Sequence, residues 1–315
     1  MKKNEEGFDA DNTVGKYFLP QISFSEAENG RVESFFLKNI GAFSYSYEQF
    51  SQFYNQTKDM FFEHISVQLC QWFGANMSAV LGAILDKLST NFITITSDNS
   101  KIIEILRKNT FLANYGYPVF PDKNHTTVRY LKLKASDSRY FGDYVMNELL
   151  SKQDFPNMSE ELKQKIFESI YEIFVNAQMH SQTEFIYTCG QFFPNKNEIE
   201  FTLVDSGIGF KKKIVEQFGL PVNSIQAIRW ALVNGNTTKQ DAPGGIGLAI
   251  LTDFIKMNKG KFQIVSDDGF YEVGETVSSK ILQYSFPGTV VNMKFRTDDS
   301  NSYRLDSENN DFDIF

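Results

Sequence analysis

Hydrophobic and polar residues alternate with two different periods along this chain, and the order in which the periods change predicts the elements. From His64, the run Ile65-Ser66-Val67-Gln68-Leu69 alternates at period two and reads as a strand. Gly74 to Ser78 turns the chain, and Ala79 to Leu88 carries apolar residues at helical spacing. Asn91 to Thr96 alternates again, Ser100 is placed to cap a helix running through Leu106, and Thr126 to Leu133 alternates a third time. That succession predicts a small α/β unit with helices packed on a sheet. Asp137 to Leu150 reads as a connecting helix, and Pro156-Asn157 interrupt the chain before a long amphipathic helix over residues 160 to 180, with Glu160 and Glu161 in its first turn. Strands are expected at Glu184 to Gln191 and Glu198 to Val204. Residues 1 to 30, polar around a short apolar stretch from Tyr17 to Ile22, read as an arm. Asp298, Asp299, Asp306, Glu308, Asp311 and Asp313 read as a solvated, mobile acidic tail.

Three stretches of the second half carry candidate chemistry. Glu172 and Asn176 lie four residues apart, so on a helix they share a face, opposite the apolar stripe of Ile166, Ile170, Ile173 and Ala177. Taken alone, they are equally the wet face of an amphipathic helix. The strand Ile199 to Val204 ends in Asp205-Ser206-Gly207-Ile208-Gly209. A carboxylate at a strand end can accept a hydrogen bond from an exocyclic amine, and a flat base can lie over glycines, which have no Cβ. The same run is also an ordinary turn. Finally, Pro243-Gly244-Gly245-Ile246-Gly247-Leu248 opens an apolar run, Ala249 to Ile255, of helical length. A glycine-rich loop entering a helix offers unpaired N–H groups and the positive end of the helix dipole to a phosphate. No Gly-Lys-Ser/Thr follows, so this is not a Walker loop, and the surrounding pattern gives no dinucleotide fingerprint.

In this order and at these separations, the three stretches resemble the nucleotide boxes of the GHKL ATPase superfamily, over roughly residues 155 to 297. Gly288-Thr289-Val290-Val291-Asn292-Met293-Lys294-Phe295 resembles the family's closing strand. The resemblance implies ATP and Mg²⁺ as cofactors and a role for each position. Asn176 would coordinate Mg²⁺ and Asp205 would read adenine, helped by Thr289. Gly207 and Gly209 would line the base, while Gly244, Gly245, Gly247 and the Leu248 N–H would hold the β- and γ-phosphates. Residues 210 to 243 would form a lid whose Lys239 closes over the γ-phosphate. Glu172 would be the catalytic base, as in members that hydrolyse ATP or phosphorylate a hydroxyl. Upstream, residues 60 to 134 resemble a STAS-type domain, through Trp72-Phe73-Gly74-Ala75-Asn76-Met77 and Lys108-Asn109-Thr110-Phe111-Leu112. The Asp-Ser-Ser-Gly-like run of phosphorylated members is absent, and Ser78 is the nearest hydroxyl.

Composition narrows the function without changing this picture. The chain has 315 residues, enough for two domains, and a formal charge of −8. A pI near 5.1 and the lack of a basic patch argue against nucleic acid as partner. Cys70 and Cys189 fit no metal or redox spacing and are expected to be reduced, buried thiols. No apolar run approaches a membrane span, so a cytoplasmic location without membrane contact is expected. The expected fold class is α/β: an N-terminal arm and lead-in (1–59), a STAS-like domain (60–134), a connecting helix and linker (135–154), a GHKL sandwich (155–297) with helices on one face of a mixed sheet, and the tail (298–315). The expected function is that of a Mg²⁺-ATP-binding regulatory protein with slow ATP hydrolysis or Ser/Thr phosphotransfer to a protein partner. The alternative is a non-catalytic, nucleotide-dependent switch or interaction module, and a homodimer is left open.

Overall fold

A computed structural model describes residues 32–219, 221–233 and 246–308, all within one compact unit. The protein is α/β, with two sheets of different kinds. The first half forms β1 (Val32–Ile40), α1 (Ser44–Thr57), β2 (His64–Phe73), α2 (Ser78–Lys87), β3 (Phe92–Thr96) and α3 (Ser100–Lys108). Its three strands pair in parallel in the order β1-β2-β3. The period-two pattern of β2 has the expected consequence: Ile65, Val67 and Leu69 are buried, while His64, Ser66, Gln68 and Cys70 lie half-buried on the other face.

The second half forms β4 (Thr127–Lys134), α4 (Ser138–Tyr144), α5 (Glu160–His180), β5 (Phe185–Phe193), β6 (Glu198–Asp205), α6 (Gly209–Phe218), α7 (Ser224–Leu232), α8 (Ile246–Met257), β7 (Lys261–Val273) and β8 (Val277–Arg296). Its five strands are ordered β4-β5-β6-β8-β7. Every pairing is antiparallel, which corrects the expected mixed sheet. Short connections between β5 and β6 and between β7 and β8 leave no room for the crossover a parallel neighbour needs.

Alternation along these strands sends successive side chains into two cores. Ile199, Phe201 and Leu203 of β6 pack with Ile166, Ile170 and Phe174 of α5 and with Leu251, Phe254 and Ile255 of α8. Val204, Val265 and Val290 face the opposite way and join the core of the first half. The antiparallel sheet is therefore covered on both faces, not one. α1 and α2 lie between the two sheets, and α2 is buried all round from Ser78 to Leu85, as a helix inside a layered core must be. Its Val80, Leu81, Ile84 and Leu85 are fully buried, each stabilising the fold by roughly 1.5–3 kcal/mol. A buried amide fastens the layers: Asn76 Nδ2 donates to Glu200 Oε2 at 3.0 Å, Thr202 Oγ1 at 3.1 Å and Asn292 Oδ1 at 3.2 Å.

Several further expectations are corrected. The arm, residues 1 to 30, lies outside the described residues, and the lead-in after it, for which no element was expected, forms the strand and helix of residues 32–57. Thr126 to Leu133 does form a strand, but β4 joins the antiparallel sheet beside β5 instead of completing the parallel one. The cap of α3 is Asn99, whose side chain accepts from Lys101 N. Cys70 is half-buried, and only Cys189 is fully enclosed, where burial pushes its thiol up to about 12. Residues 298–308 are docked rather than free: Asp298 pairs with Arg296, Tyr303 N donates to Asn157 O at 3.0 Å, and Ser159 Oγ donates to Glu308 Oε2 at 2.7 Å. Among the described residues no helix is long and apolar enough to cross a membrane.

Candidate functional site

α5 starts where the sequence provides a cap, with the Ser159 hydroxyl accepting from Leu162 N at 3.2 Å. Ile166, Ile170, Phe174 and Ala177 bury one side of the helix, leaving Glu172 and Asn176 half-buried on another. Its C-terminal end is tied to the loop after β6. Ile208 N donates to Ser181 O at 2.9 Å and Ser206 N to Thr183 Oγ1 at 3.3 Å. Gly207 lies so close that a Cβ there would stand 1.9 Å from Ser181 O. Glycine is required at this position by the approach of two backbones rather than by the turn itself.

Asp205 closes β6 in register with Thr289 of β8. Its Oδ1 accepts from Gly207 N at 2.8 Å, and it is 5% exposed. Burial pushes its carboxyl up to about 7, against the pull of the Gly207 N–H, the Thr289 hydroxyl and N–H, and the charge of Lys87 from α2. Gly288, at φ +146°, passes so near that a Cβ would meet Asp205 O at 2.0 Å. Gly209, at φ +73°, backs onto Ser266, whose hydroxyl accepts from Phe210 N at 3.0 Å and lies 3.4 Å from Thr289 Oγ1. A short polar chain thus runs from the Asp205 carboxyl through Thr289 and Ser266 to the start of α6.

α8 enters the same end of the sheet. Its C-terminal end is fixed beside the finish of β8, where Asn258 Nδ2 donates to Arg296 O at 3.1 Å. The N-terminal end of α5 lies there too, because Ser159 N donates to the carbonyl of Tyr303, whose ring packs on Phe254. The two helices pack together and therefore run in opposite directions. The end of α5 that carries Asn176 and the first turn of α8, with Gly247 and the half-buried Leu248, share the side of the sheet on which Asp205 and Thr289 stand. Lys239, Gly244 and Gly245 lie outside the described residues.

Sequence reasoning missed Ser181, Thr183, Ser266 and Lys87. Ser266 becomes visible only through its register with Thr289, and Lys87 only through the packing of α2 on β5 and β6. No local pattern marks either of them. Ser78 is fully buried and accepts from Asn109 Nδ2 at 3.0 Å, which makes it a structural hydroxyl. No group of three or more His, Cys, Asp or Glu suited to a metal ion occurs among the described residues. No protein-family model matches the chain, and no curated protein matches it.

Proposed function

We propose that the protein binds Mg²⁺-ATP across the Asp205 end of the antiparallel sheet and acts as a regulator, by slow hydrolysis or by transferring the γ-phosphate to a serine or threonine of a partner protein. In this reading the second half is a GHKL-type sandwich and the first half a STAS-like layer on its back. The observation that carries it is the buried Asp205 carboxyl, paired with Thr289 at the mouth of the same sheet end as Asn176 and the start of α8. Its chemistry fits a base with an exocyclic amine: a desolvated carboxylate forms a strong charge-assisted hydrogen bond with such a donor. Asn176 offers an amide oxygen of the kind Mg²⁺ accepts while keeping its waters. Glu172, one turn earlier, would take the proton from water or from the partner's hydroxyl, and most of the remaining acceleration would come from positioning and charge neutralisation.

Calorimetric titration with ATP, with and without Mg²⁺, tests the reading. Asn176→Ala should lose the Mg²⁺-dependent part of the affinity, by about tenfold or more. Glu172→Ala should bind normally and lose roughly 10²–10⁴-fold in turnover. A wild-type chain that takes up no ATP would end the proposal.

A pH series adds an independent test. Base recognition uses ionised Asp205, and its carboxyl titrates at about 7. At saturating Mg²⁺, ATP affinity should be flat above that pH and fall below it, approaching about tenfold per pH unit. Affinity unchanged between pH 5 and 8 would remove Asp205 from the binding step.

One observation favours the non-catalytic alternative. Asp86 of α2 accepts from the Tyr187 hydroxyl at 2.5 Å and pairs with Lys132, and β5 carries Tyr187 beside β6. The first-half layer therefore grips the sheet next to the strand end that would hold the base. If a non-hydrolysable analogue reproduces the full effect of ATP on partner binding and Glu172→Ala changes nothing, the switch is the function.

A further inference from the structure

The loop that follows β6 is held from both faces of the sheet. On the α5 face, Ile208 N donates to Ser181 O and Ser206 N to Thr183 Oγ1. On the other face stands Tyr187 of β5, 1% exposed, in register with Val204 and one residue from the Ile186–Asp205 pair. Alternation along β5 turns its ring away from Asp205 and into the core that holds α2. There its hydroxyl donates to Asp86 Oδ2 at 2.5 Å. Asp86 lies in the last turn of α2, the end of a helix where a carboxylate is disfavoured. The Tyr187 hydroxyl and the Lys132 ammonium offset that cost.

A phenol hydroxyl that donates once can still accept. The group facing the Tyr187 oxygen is the Ser206 hydroxyl, which is buried and has no other partner among the described residues. The next residue of α2, Lys87, brings its charge toward Asp205. Nor has α2 any slack against the sheet, because a Cβ on Gly82 would stand 2.3 Å from the Tyr130 hydroxyl of β4. We propose that Tyr187 is a positioning residue for the loop after β6, passing the seating of α2 through Ser206 to that loop, so that the first-half layer regulates the Asp205 end of the sheet. A displacement of the loop by a ligand returns to α2 along the same contacts, since coupling between two sites is reciprocal. Where the ligand is ATP, which rests on the reading above, nucleotide affinity follows the seating of the first-half layer.

Amide hydrogen exchange of the full chain without nucleotide tests the clamp. Asp86→Ala changes no loop residue and relieves the end of α2, so the fold should hold. It should nevertheless speed exchange at the Gly207, Ile208 and Phe210 N–H groups by about tenfold or more. The Arg296 and Tyr303 N–H groups, at the opposite end of the sheet, should keep their wild-type rates. Tyr187→Phe and Ser206→Ala should each give the same acceleration, and Asp86→Ala should add nothing in either background. Loop rates unchanged by Asp86→Ala overturn the proposal, as does an effect of Asp86→Ala that persists in full beside Tyr187→Phe. An acceleration that reaches Arg296 and Tyr303 equally is global loosening and overturns it as well. In ATP titration the same coupling should read as about tenfold weaker affinity of Asp86→Ala. A wild-type chain that takes up no ATP removes the nucleotide from the site, and the exchange rates alone then decide the clamp.

Discussion

Asp205→Asn is expected to raise stability at pH 8 and to abolish ATP retention. Burial holds the Asp205 carboxyl at about 7, against an ordinary value of 3.8. Below 3.8 the carboxyl is protonated in the folded and unfolded chain alike, and burying it carries no ionisation penalty. Between 3.8 and 7 the unfolded chain ionises while the folded one keeps its proton, so stability falls as pH rises. Above 7 the loss is complete, at about 4 kcal/mol as an upper figure. Asn keeps an oxygen to accept from Gly207 N and never ionises, so at pH 8 the variant should be about 2–4 kcal/mol more stable in urea unfolding. More than half of that gain should vanish at pH 5. The same change replaces the anionic acceptor that the proposed site offers the base. A variant no more stable than wild type at pH 8 refutes the electrostatic argument, and one that still binds ATP normally refutes the assignment of Asp205 to the base.

A carboxylate that destabilises its own fold at neutral pH is what a binding role would require. The structural surroundings only partly relieve it: one backbone N–H, one Thr hydroxyl and N–H, and Lys87 arriving from the far layer. Lys87 is itself held below its usual value by desolvation, opposed by Asp205 and Asp86. The first-half layer and the strand end thus share one charge balance, which in the proposed function would give a nucleotide bound at Asp205 a direct route to the packing of α2 on the sheet.

How much of this was legible in the sequence depended on whether the signal was local. The helix Glu160–His180, the strand ending at Asp205 and the helix opening at Ile246 follow from periodicity and caps within a few residues, and those elements hold the candidate residues. Strand β1 was not legible: Val32-Glu33-Ser34-Phe35-Phe36 places apolar residues on both faces of the strand, so the period-two alternation is lost. β4 alternates as a strand should, yet which sheet it joins is decided by pairing with β5, more than fifty residues later. Tail docking was hidden for a related reason. A run of Asp and Glu reads as solvated until Arg296, Tyr303 and Ser159 are seen to receive it. The α2 helix was legible as apolar, but its burial on every side comes from the antiparallel sheet of the second half packing against it, which a reading as two successive domains did not anticipate.

Gly207→Ala should be among the most damaging single methyl groups that can be added at the site. The new Cβ would stand 1.9 Å from Ser181 O and 2.3 Å from Ser181 Cβ. Neither can swing aside. Ser181 N is bonded to Ala177 O, and Ser181 O receives Ile208 N. The loop after β6 and the end of α5 must therefore separate, at a cost of about 3 kcal/mol or more. Because that contact fixes the spacing between Asn176 and Asp205, ATP affinity should fall together with stability. Gly219→Ala provides the control. Gly219 ends α6 at φ +66° with nothing within 4 Å of its Cβ position, so only backbone strain is added, about 1 kcal/mol. Denaturant unfolding of the two variants separates close approach from conformational preference. A Gly207→Ala protein within about 1 kcal/mol of wild type would mean that the loop is not wedged against α5, and the spacing that brings Asn176 to the Asp205 end would lose its physical basis.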